Sequence, residues 1–113
     1  MQKGSFLDDV VYGDTQPVIT PLITNDFTKE IRIVFRKGQA MKAHKTAFPI
    51  TVMIVKGLID FGIGTERHGL RAGEVVALEP NVMHDLYAAE DSIVRLSLHK
   101  SDTVARVSGV LRL

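Results

Sequence analysis

Short apolar runs broken by turn residues fill the first hundred positions of this chain, and helical periodicity is hard to find among them. In "EIRIVFRK" (30–37) Ile31, Ile33 and Phe35 share one face while Arg32 and Arg36 share the other, the two-residue period of a half-buried strand. "PVITPLI" (17–23) carries two prolines and reads as an edge strand or extended arm. "ITVMIVK" (50–56) is apolar on both faces and stops at Gly57, where "LIDFGI" (58–63) resumes at once. Lys56-Gly57 therefore reads as a hairpin turn, with glycine supplying positive φ.

Further along, "GTERHGLRAGE" (64–74) is rich in turn residues. It is followed by runs at 75–78, 84–88 and 92–99, separated by Glu79-Pro80-Asn81 and by the acidic turn 89–91. Seven or eight short strands at this spacing predict an all-β sandwich or barrel. The tail, 101–113, reads in two ways: a short helix capped by Ser101 or Asp102 and ending near Gly109, or a last strand.

The 113 residues suit one domain, and 45% apolar with 24% charged residues is ordinary for a globular protein. Fourteen basic residues against thirteen acidic ones are scattered along the chain. No nucleic-acid footprint or polybasic membrane patch is visible. Without cysteine, disulfides, thiolate metal sites and a cysteine nucleophile are excluded. The first residues meet acidic side chains before any apolar stretch of signal-peptide length, and no run approaches a membrane span. A cytoplasmic protein without membrane or nucleic-acid partners is the expectation.

The glycines and histidines add a resemblance. Gly38 is followed by five residues and then His44, and Gly57 closes the same stretch. Gly73 is followed by six residues and Pro80, with His84 beyond. Together these resemble the two motifs of the cupin superfamily, G-x5-H-x-H-x3–4-E-x6-G and G-x5-P-x-G-x2-H-x3-N. The likeness covers about residues 30–99 of a single domain, 1–113. It implies a small jelly-roll β-barrel, and frequently a homodimer.

Two positions depart from the pattern: Thr46 stands at the second histidine and Ile50 at the glutamate. In the family these side chains bind a metal, and His-x-His on one strand presents two imidazoles to one ion. Here His44 and His84 are retained. Two imidazoles with water are expected to hold a divalent transition metal (Zn, Fe, Ni, Mn or Cu) weakly, because catalytic sites generally use at least three protein ligands.

The leading expectation is thus a binding protein whose pocket around His44 and His84 takes a small molecule, an anion being one candidate, without a tightly bound metal. Thr46, Phe48, Met53 and Arg95 are candidate pocket residues. Methionine adapts to irregular space, and a guanidinium suits a carboxylate or phosphate. Core packing is the alternative for Phe48 and Met53, and a surface position for Arg95. His68 reads as an exposed turn residue, and His99 shares a face with Arg95 and Ser97. Asp85 is expected to face away from its neighbour His84. Two further readings stand beside the first: a metal-dependent isomerase- or dioxygenase-like enzyme completed by His99, Thr46 or water, and a dimeric structural or regulatory partner using the 50–56 run.

Overall fold

A computed structural model describes residues 1–113. Nine strands precede one short helix: β1 (Val18–Thr24), β2 (Lys29–Phe35), β3 (Ala40–His44), β4 (Ile50–Lys56), β5 (Leu58–Ile63), β6 (Glu66–Arg71), β7 (Val75–Leu78), β8 (His84–Ala88), β9 (Ser92–Leu98) and α1 (Val104–Val110). They form a five-stranded sheet, β1-β2-β9-β4-β7, and a four-stranded sheet, β3-β8-β5-β6, antiparallel throughout. This is a small jelly roll, within the sandwich-or-barrel class that the strand spacing predicts and as the family resemblance implies.

The alternation along each strand sets the faces. Ile31, Ile33 and Phe35 of β2 and Val94, Leu96 and Leu98 of β9 point inward, with Val52 and Ile54 of β4 beside them. Phe61 of β5 and Leu86 of β8 meet them from the other sheet. Arg32, on the polar face of β2, is only 5% exposed. The segment before β1 lies over the outer face of the five-stranded sheet, where Arg32 donates to the carbonyls of Ser5 (3.2 Å) and Asp8 (2.8 Å).

Three local readings need correction. β4 and β5 lie in different sheets, so Lys56-Gly57 is a corner between sheets and not a hairpin turn. Glycine is required there all the same: φ is +92°, and a Cβ would run into the Asp91 carbonyl oxygen and the Ser92 side chain. "ERHGLR", read as turn, is β6, and "AMKAH" is β3. Both are edges of the four-stranded sheet, each with a single buried residue, Leu70 or Met41. An edge exposed on both faces carries no alternating signal. The predicted edge strand with Pro21 is β1, which pairs with β2 alone and shifts register between Pro21 and Ile23. The tail is a helix, capped by Thr103 rather than Ser101 or Asp102; the Thr103 hydroxyl accepts from the Arg106 N–H at 3.2 Å.

Candidate functional site

His44 ends β3 and His84 begins β8, and the register pairs them directly across the strands. Their ring centroids are 4.2 Å apart at an interplanar angle of 59°. His84 is buried, and its ring stacks on Phe61 at 5.7 Å. The His44 Nδ1 lies 2.6 Å from the Lys42 carbonyl and the His84 Nδ1 lies 2.9 Å from the Val82 carbonyl. A carbonyl only accepts, so each neutral ring carries its proton on Nδ1 and keeps an unprotonated Nε2.

Burial, above all, holds both imidazoles below the ordinary histidine range. It outweighs the carbonyl bonds that favour the charged forms, and the nearby Arg106 charge adds to it. For His44 the adjacent His84 is a further obstacle to protonation. Two neutral rings at neutral pH follow.

Both rings line a cavity of about 20 Å³ whose walls also include Ile33, Ile50, Leu86 and Leu96, and Arg106 and Val107 of α1. That volume holds about one water molecule. The Arg106 guanidinium grips Asp102 through Nε (2.7 Å) and Nη2 (2.8 Å). Asp102 is 2% exposed and also accepts from the Thr103 N–H (2.8 Å) and the Thr46 hydroxyl (3.2 Å). Burial by itself opposes ionisation of Asp102, but these donors together hold its carboxyl below the usual carboxylate range.

With this geometry in view, known structures decide the fold. An RmlC-like cupin protein from Desulfovibrio desulfuricans superposes with TM-score 0.81 at 18% identity, covering 88% of this chain and 97% of that one. A cupin superfamily protein from Desulfitobacterium hafniense gives TM-score 0.73 at 11% identity over 80% and 83% of the two chains. An RmlC-like cupin from Shewanella frigidimarina gives 0.69 at 18% over 78% and 86%. The fold is that of a cupin. No protein-family model and no curated protein matches the chain, so the likeness is one of architecture.

Within the cupin barrel the six expected pocket residues separate. His44 and His84 line the cavity. Thr46 is 5% exposed and adjoins them indirectly, tied to Asp102. Phe48 lies aside from the cavity, stacked on His99 at 5.5 Å. Met53 and Arg95 are cross-strand partners on the outer face of the five-stranded sheet, where Arg95 pairs with Glu30 through Nε (2.7 Å) and Nη2 (2.9 Å). Their strands turn Val52, Val94 and Leu96 inward, so period two carries Met53 and Arg95 outward. His68 is exposed as expected, although on a strand, and Asp85 faces away from His84 to meet Arg67 at 2.8 Å.

The donor set does not fit the three- or four-ligand metal centre that the fold suggests. Ile50, at the glutamate position, is part of the apolar wall, Thr46 is occupied with Asp102, and Arg106 brings a cation to the cavity. No group of three or more His, Cys, Asp or Glu side chains is arranged to hold a metal ion. Arg106 escaped the sequence reading, and Asp102 entered it only as a candidate helix cap. Their i,i+4 spacing is a helix signal, hidden because the tail reads equally well as strand.

Proposed function

We propose that this cupin barrel binds a small carboxylate carrying a hydroxyl group, in the cavity shared by His44, His84 and Arg106, without a tightly held metal. The observation that supports this reading is the convergence of two neutral imidazoles and one guanidinium on a single apolar-walled cavity. Few polar groups set in apolar walls is the usual composition of a ligand site. Arg106 offers planar, charge-assisted donors to a carboxylate. Each Nε2 is an acceptor, so the same ligand gains from a hydroxyl that donates to one ring. A bound anion also favours protonation of an imidazole, which would then become a second cationic donor.

Glycolate is the simplest probe of that chemistry and acetate its hydroxyl-free comparison. Glycolate is expected to raise the thermal midpoint, acetate to do so less, and both effects to vanish in the His44→Ala/His84→Ala protein. Equal stabilisation of wild type and double variant would contradict the reading.

A second reading is supported by the pinned Nδ1 atoms: both Nε2 lone pairs are available, and two nitrogen donors suffice for a weakly held divalent transition metal. Elemental analysis of untagged protein tests it. Stoichiometric zinc, nickel, copper, iron or manganese that is lost in His84→Ala would favour this reading over the first.

A further inference from the structure

A cavity with room for one water cannot receive glycolate while α1 stays where it is. Arg106 and Val107 are part of its wall, so the helix limits the space on its side of the cavity. Seven residues are too few for a helix that holds itself together in water, and α1 depends on docking. Val107 at 1% and Val110 at 7% exposure supply most of the apolar part, with partly buried Val104 and Leu111 packed beside them. The polar part is a chain of three residues: the Thr46 hydroxyl donates to Asp102, and Asp102 receives both arms of Arg106. Thr46 thus uses the position of a motif histidine to fasten the segment that covers the cavity.

The pairing inside this chain has a particular form. Asp102 presents a carboxylate to Arg106 in two-pronged geometry, the arrangement in which a guanidinium would bind a carboxylate ligand. We infer that residues 101–110 form a plug that loosens without leaving: a carboxylate ligand displaces Asp102 from Arg106, the link from Asp102 to Thr46 gives way, and the Arg106 side chain stays at the cavity to hold the ligand. The inference rests on the reading of the cavity as a ligand site. It adds regulation of that site: the closed form pays a conformational toll on ligand affinity, equal to the fraction of molecules with the latch released.

The experiment uses the full chain as wild type, Asp102→Asn and Thr46→Val. Diethyl pyrocarbonate modification is followed by mass spectrometry, with His84 as the reporter and exposed His68 as the reference in the same sample. Circular dichroism verifies that each variant keeps a cooperative transition. Relative to His68, His84 should react about tenfold faster in Asp102→Asn and a few-fold faster in Thr46→Val, following the released fraction. Amide exchange at 104–110 should accelerate in parallel. Glycolate should bind Asp102→Asn about tenfold more tightly than wild type, because the internal carboxylate no longer competes.

An unchanged His84 rate and unchanged exchange in both folded variants would overturn the plug. Faster His84 modification with glycolate affinity equal to wild type would overturn displacement by a carboxylate. Faster modification with no glycolate binding to any of the three proteins would leave the plug supported, and would overturn both the carboxylate opening and the proposed function.

Discussion

Replacing Asp102 with alanine tests the energetic premise of the site. The carboxylate accepts four hydrogen bonds, two of them from Arg106, while 2% exposed. Removing one partner of a buried ion pair typically costs about 3–5 kcal/mol, because the remaining charge stays uncompensated. The Arg106 side chain is 26% exposed, so water takes over part of that role, and about 2–3 kcal/mol is the expected loss. The loss also has a ceiling. Burial of Val107 and Val110 is worth about 1.5–3 kcal/mol each, and a larger penalty is avoided by undocking α1 from an otherwise folded barrel. For a chain of this size the thermal midpoint should fall by about 8–15 °C. The assay is chemical and thermal unfolding of Asp102→Ala, Arg106→Ala and the double variant. Their coupling energy should be about 1.5–3 kcal/mol. A midpoint within 2 °C of wild type, or additive single effects, would refute the reasoning.

Three other outcomes are expected. Gly57→Ala should cost about 3 kcal/mol or more, since the residue sits at φ +92° and its Cβ meets the backbone of the neighbouring corner; calorimetry would show it, and a near-native midpoint would contradict the inter-sheet corner. Because His44 and His84 are both held below the histidine range of about 6.5, the unfolded chain binds more protons than the fold below that pH. Stability should therefore fall as pH drops through 6.5 and level off beneath the folded values, with a weaker pH slope in His44→Gln/His84→Gln. Arg95→Gln and Met53→Ala should leave glycolate affinity within about twofold of wild type, as both residues lie on the outer sheet face; loss of binding in titration calorimetry would relocate the site.

Legibility followed exposure. Strands with one face in the core, such as β2 with Ile31, Ile33 and Phe35, are visible as alternation. The edges β3 and β6 have no such face, so the polar composition of β6 reads as turn and β3 gives no strand signal. The Gly57 signal is genuine but local: positive φ serves a corner as well as a hairpin, and only the pairing of β4 and β5 with other strands tells them apart. The histidine pair is readable through the resemblance of the flanking glycine spacing to the two cupin motifs. Arg95 was not, because a strand with polar residues on one face does not say which face is inside until the Val94, Leu96 and Leu98 side is known to pack. Arg106 depended on the helix, and seven residues with mixed propensity leave helix and strand undecided.

The central claim is that His44 and His84 form one ligand site together with Arg106. Long-range proton–nitrogen NMR of the two rings at pH 7, followed through a glycolate titration, tests it most directly. Both rings should begin with protonated Nδ1 and free Nε2, and both Nε2 signals should move with the Arg106 Nε signal along one saturation curve. Rings protonated on Nε2, or Nε2 signals that stay fixed while Arg106 responds, would contradict it.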